Sequence, residues 1–163
     1  MIKEITTYIQ NQIPLDALIT WTAPALTIGV NLFAGHIPIK NMNGDNVPAD
    51  LTNQRYVAVL ENAGGAVDNQ QPDFIEKAIQ IYNQADSYFQ ARKDAMDVYT
   101  LLHRDVNTYG AAGIELPIVA GGPQWLAMVI DALSVPAPIS SPDLKGNFCW
   151  STNFIFRMEK AIC

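Results

Sequence analysis

Charge is scarce in this chain. Only 16% of its 163 residues are charged, well below the ~25% of an average soluble domain, whereas 49% are apolar. A domain short of charge has little material for a fully solvated surface. Part of its exterior is therefore expected to lie against a partner or against copies of itself. Basic residues are the scarcer kind: 10 Lys and Arg stand against 16 Asp and Glu, for a formal charge of −6, and they form no cluster. Counterion release from a basic footprint supplies most nucleic-acid affinity, so tight binding of nucleic acid is not expected. Passage close to DNA without holding it remains compatible with this balance.

Cysteine is nearly absent too, with only Cys149 and Cys163. The start, Met1-Ile2-Lys3-Glu4, lacks the basic start and compact apolar run of a secretory signal. Two reduced thiols in the cytosol are therefore expected, with a bridge between them as the alternative. Cys149 lies in an alternating apolar segment, where cysteine acts as a small core residue. No apolar run reaches the roughly 20 residues of a membrane-spanning helix. The uncharged stretch Ala17 to Ile39 is interrupted by Pro24, Gly29, Asn31, Gly35, His36 and Pro38, and reads as a loop followed by a buried strand.

The common catalytic and metal-binding signatures are missing. Neither histidine, His36 or His103, has a second ligand at metal spacing, and Cys-x-x-Cys, His-x-x-x-His and His-Glu-x-x-His are all absent. There is no Gly-x-Ser-x-Gly elbow. Cys149 with His103 or His36 could in principle make a thiolate dyad, but a cysteine in mid-strand has no helix N-terminus to activate it. The turn Asn41 to Asn46 lacks the distal Glu of a calcium loop. Gly64-Gly65 precedes neither Lys-Ser/Thr nor a helix, as a phosphate loop would require. The chain is accordingly read as a non-enzyme with no catalytic residue, cofactor or metal.

What is present is periodicity. Ile2, Ile5, Ile9 and Ile13 recur at helical spacing with Lys3, Glu4, Gln10 and Asn11 away from them, which predicts a helix over Ile2 to Ile13, ended by Pro14. Leu26 to Ile37 and Arg55 to Glu61 read as strands. Asn62 to Asp73 is a mobile connector, and Phe74 to Tyr82 is a strand able to pair antiparallel with the one before it. A second helix is expected from Asp86 to His103, capped by Asp86 or Ser87, with Ser87 and Gln90 at capping-box spacing. Its core face is assigned to Tyr88, Phe89, Ala95, Met96, Tyr99 and Leu102, and its wet face to Gln90, Lys93, Asp94, Asp97 and Arg104. A long connection, Asp105 to Gly122, leads to strands Trp125 to Asp131 and Phe148 to Met158. In the last, Phe148, Trp150, Thr152, Phe154, Phe156 and Met158 alternate with Cys149, Ser151, Asn153, Ile155 and Arg157. Val135 to Ile139 holds too much proline for a central strand. Strand-to-strand links dominate, so the expectation is one α+β domain over residues 1–163, a mixed and mainly antiparallel sheet flanked by helices.

Three stretches carry a resemblance. Arg55 to Asn62 looks like a first central strand. Ala78 to Tyr82 then leads through Asp86-Ser87-Tyr88 into a helix with Ala91-Arg92, Ala95, Val98-Tyr99 and Leu101-Leu102. Asp143 to Arg157, with Trp150 to Arg157, looks like a closing aromatic strand. Their order and spacing are similar to those of tail terminator (minor capsid, tail completion) proteins of tailed bacteriophages. Ala17 to Asp50 carries no part of the likeness. The resemblance implies a virion protein at the head-proximal end of the tail, present in the host cytoplasm during assembly. It implies a homohexameric ring that stops tube polymerisation, with the tail tube protein and neck or connector proteins as partners. DNA would pass through without specific binding, and no membrane is involved. A ring of identical subunits uses heterologous contacts that close by rotation. Another neck or head–tail joining protein, or a soluble α+β binding module, is the alternative.

Overall fold

A computed structural model describes residues 1–22, 24–35, 55–62, 74–109, 113–139 and 147–161, with the backbone alone for 104–109. Its elements run α1 (Ile2–Gln12), β1 (Leu32–Ala34), β2 (Tyr56–Glu61), β3 (Phe74–Ala85), α2 (Tyr88–Tyr109), β4 (Ile114–Glu115), β5 (Trp125–Ala132), β6 (Ala137–Pro138) and β7 (Phe148–Lys160). The strands form one curled sheet in the order β1-β2-β3-β7-β5-β4, and β6 pairs with β7 beside that path. Only β1 and β2 run parallel; every other pairing is antiparallel. The expected α+β architecture, a mixed and mostly antiparallel sheet with helices, is what the chain adopts.

The spine is the pair β3 and β7, in unbroken register from Phe74 opposite Glu159 to Ala85 opposite Phe148. Side chains alternate across a strand, so this register puts Ile79, Ile81, Phe154, Phe156 and Met158 on one face. Val57 and Val59 of β2 join them, and all seven are buried. α1 and α2 cover this face. α1 contributes Ile5 and Ile9, and Ile13 follows at its C-cap, as the isoleucine spacing predicts.

The chain departs from the sequence expectations in four places. Leu26 to Ile37 is not one strand, because Asn31 organises a turn in its first half. The Asn31 side chain accepts from the Thr27 N–H at 2.7 Å and donates to the Ala25 carbonyl at 3.0 Å, and Gly29 adopts φ +83°. A left-handed residue is cheap only for glycine, so the strand starts after it, at Leu32. Glu4 is buried, not wet, and is ion-paired with the N-terminal ammonium of Met1. The second helix runs on to Tyr109, and the connection behind it holds β4.

The fourth departure concerns the faces of α2. Its buried stripe is Ala91, Asp94, Ala95, Val98, Leu101 and Leu102, whereas Phe89 is 76% exposed and Met96 39%. Small residues let the helix settle close to the sheet, over Ala85 and Trp150. Phe89 and Met96, seven residues apart, lie on the opposite side of the helix cylinder. The turns expected at Asn41 to Asn46 and the Gly64-Gly65 connector lie outside the described residues, as do His36 and Cys163.

Candidate interaction surfaces

The outer face of α2 exposes Phe89, Tyr88 and Met96. The chain leaves β3 at Ala85, turns through Asp86 and Ser87, and enters the helix with the Ser87 carbonyl accepting the Ala91 N–H at 2.9 Å. Ser87 thus takes the cap position expected of it, although the Gln90 amide turns to Asp94 instead. At this corner the Tyr88 ring makes three edge contacts, with Phe89, Phe148 and Trp150, at centroid separations of 5.6, 5.7 and 5.5 Å. Edge contacts of this kind are a favoured arrangement of aromatic rings. Beyond Phe89 the same face continues with Arg92 and Met96, both exposed. An exposed aromatic with neighbouring charge has the chemistry of an interface anchor.

A second feature is a groove of about 440 Å³ between the start of α1 and the turn before β1. Lys3, Thr6, Ile28, Phe33, Ala34 and Val119 line it. Val30 and Ile118, each next in the chain to a lining residue, are largely exposed. Apolar walls with a single ammonium at the rim suit packing against another protein surface more than chemistry.

The sheet face away from the helices carries a compact polar–aromatic cluster. Phe33, Tyr56 and Ala58 are buried there, with Leu60 and Tyr82 against them, and Tyr56 stacks on Tyr82 at 5.9 Å. Tyr56 donates to Gln84 Oε1 at 3.0 Å, and Tyr82 donates to Cys149 Sγ at 2.7 Å. Burial, then the bond to Cys149, raises the Tyr82 hydroxyl far above its ordinary value, so it stays a proton donor. Cys149 is buried as expected, but in this cluster and not in the main core. Its neighbour Trp150 points to the α2 side, so Cys149 faces away from it. His103 stacks on Tyr99 of α2 at 5.1 Å, and the sheet separates it from the thiol. The Cys149–His103 dyad is not assembled.

What holds α2 in place was not legible in advance. Asp94, assigned to the wet face, is 1% exposed and takes both arms of Arg55, at 2.5 and 2.6 Å. Arg55 also donates to the Thr22 carbonyl at 2.6 Å and lies 4.2 Å from the Trp21 ring centre. One guanidinium thereby joins the segment after α1, the start of β2 and the middle of α2. A lone arginine before a strand carries no mark of this. The one available signal is that Asp94 falls within the stripe Ala91-Ala95-Val98-Leu102.

Among the described residues, no three His, Cys, Asp or Glu side chains gather as metal ligands would, and no helix is long and apolar enough to cross a membrane. No protein-family model matches the chain, and no curated protein matches it.

Proposed function

We propose that this chain is a structural virion protein that caps the head-proximal end of a phage tail tube, ends tube polymerisation and offers a face to the neck or connector. The observation that carries the reading is spatial. The stretches bearing the resemblance to tail terminators are β2, β3 with α2, and β7; the three strands are adjacent in the sheet, and α2 packs on β3 and β7. A likeness assembled from unrelated fragments has no reason to fall into one contiguous packing unit. The low charge and the exposed apolar features on α2 and beside α1 supply surface for contacts with copies of itself, the tube protein and a neck protein. The closing contacts form with identical subunits, in a ring of six on this reading, so two different patches of each subunit must meet. An acidic subunit suits a passage through which DNA slides, because attraction would hold the duplex. No catalysis, cofactor or membrane enters this role.

Loss of the gene during phage growth tests it. The expected result is filled heads beside separate tails, many with tubes running past normal length. Tails of normal length beside filled heads would assign the protein to the neck instead. Normal particles, with a defect only in lysis or DNA metabolism, would end the reading.

A further inference from the structure

The sheet offers α2 an uneven seat. The covered face is apolar at Ile79, Phe154 and Phe156, but it turns polar along β3 and β7 towards Ala85. Asn83 of β3 lies between Val57 of β2 and Trp150 of β7, and Thr152 is two residues from Trp150 on the same face. All three side chains are buried, and Trp150 packs with Ala91 and Ala95 of α2. Four of their polar atoms are closed to solvent and find no hydrogen-bond partner among the described residues: Asn83 Nδ2 and Oδ1, Trp150 Nε1 and Thr152 Oγ1. Turning the Asn83 amide over exchanges its own donor and acceptor, so it relieves neither. The α2 residues on Trp150 are alanines with no polar side-chain atom, and Asp94 between them is engaged by Arg55 and Gln90. Buried polar groups are nearly always hydrogen-bonded, so four together on adjoining strand positions require a partner.

We infer that water is bound inside the fold at this place, between the sheet and α2, held by Asn83, Thr152 and Trp150. The chemistry of the set selects this occupant. The indole N–H and the carboxamide nitrogen donate only, the carboxamide oxygen accepts only, and the threonine hydroxyl does either. A cation would meet two donors turned against it, and the three side chains carry no charge to hold one. An anion needs donors alone. Water donates two hydrogen bonds and accepts two, which matches two donors and two acceptors, and buried water makes about three such bonds. Reach agrees with this. Side chains directly opposite in an antiparallel pair have Cβ atoms about 5 Å apart, and diagonal ones about 7–8 Å. A molecule bonding at about 2.8 Å on each side spans that interval between polar ends. This internal hydration stands whether or not the tail-cap reading does.

Nuclear magnetic resonance of the intact chain tests it. The Trp150 indole N–H and the Asn83 carboxamide protons should show direct Overhauser effects to water, of the sign given by a molecule that tumbles with the protein. Trp150→Phe assigns the indole signal. Oxygen-17 relaxation dispersion of the solvent follows water itself and is blind to exchanging hydroxyl protons. Its amplitude should fall in the Asn83→Leu, Thr152→Val double variant, which removes three of the four polar atoms. A wild-type chain lacking the Overhauser effect at either group would overturn the inference. So would an equal dispersion amplitude in the wild type and a double variant with unchanged circular dichroism. If that variant does not fold, the wild-type Overhauser effects decide alone.

Discussion

The guanidinium of Arg55 grips the carboxylate of Asp94 with two hydrogen bonds, at 2.5 and 2.6 Å, across 39 residues of chain. Gln90 adds a third donor to the same carboxylate at 2.6 Å, and Lys93 reaches over to the Thr20 carbonyl. α2 is tied in this way to the segment after α1 at the level where its packing side chains are smallest, Ala91 and Ala95. Removing one partner of a buried pair leaves the other without compensation. Arg55→Ala should therefore lower stability by roughly 3–5 kcal/mol in urea unfolding at neutral pH. A loss under 1 kcal/mol would mean that the pair is solvated in solution.

Acid should soften that loss. Burial raises the Asp94 carboxyl above its ordinary 3.8, outweighing the lowering by the hydrogen bond and charge of Arg55, then by Gln90 and Lys93. A carboxyl whose pKa is higher folded than unfolded binds its proton more tightly in the fold. Its favourable contribution is complete below about 3.8 and is lost as pH rises through the folded value. Stability of the wild type relative to Asp94→Asn should thus increase as pH falls towards 4. The penalty of Arg55→Ala should shrink over the same window, because an unpaired Asp94 can take up a proton. The opposite slope would show that Arg55 prevails over burial.

Phe156→Ala and Phe89→Ala form an informative contrast. Phe156 is fully buried beneath the helices, and its truncation should cost ~3–5 kcal/mol. Phe89 is mostly exposed, so its truncation should cost less than about 1 kcal/mol, read from the same denaturation curves. Comparable losses would mean that α2 sits rotated from the orientation described above.

That contrast also marks where the sequence was readable. β7 was legible because one buried face imposes alternation from Trp150 to Met158, and the buried positions there fall on Trp150, Thr152, Phe154, Phe156 and Met158 as the pattern requires. The existence of α2 was legible for the same kind of reason. Its rotation was not, because large aromatics outweighed small residues in locating the core face, and here alanines do the packing. β1 was shortened by the Asn31 side chain, whose bonds to the 25–27 backbone are invisible to hydropathy. The Arg55–Asp94 pair was hidden by its separation along the chain, and the exposure of Phe89 and Met96 was concealed by their being assigned to the core.

The last expectation concerns Cys149. Its Sγ accepts from Tyr82 and lies 3.8 Å from Gln84 Oε1, and it is buried in the cluster on the sheet face away from the helices. A nucleophilic thiol requires a cation, a base or a helix N-terminus to favour the thiolate. Two of its neighbours are a tyrosine held neutral and a carboxamide, and neither of these supplies charge. In a Cys163→Ser background, Cys149 should react with a thiol reagent at pH 7 only as fast as the fold opens. The rate should rise in step with urea across the unfolding transition, and Tyr82→Phe should leave it slow. Stoichiometric labelling within seconds in native buffer would instead identify an activated thiol, reopen the reading of this chain as an enzyme and count against a purely structural role.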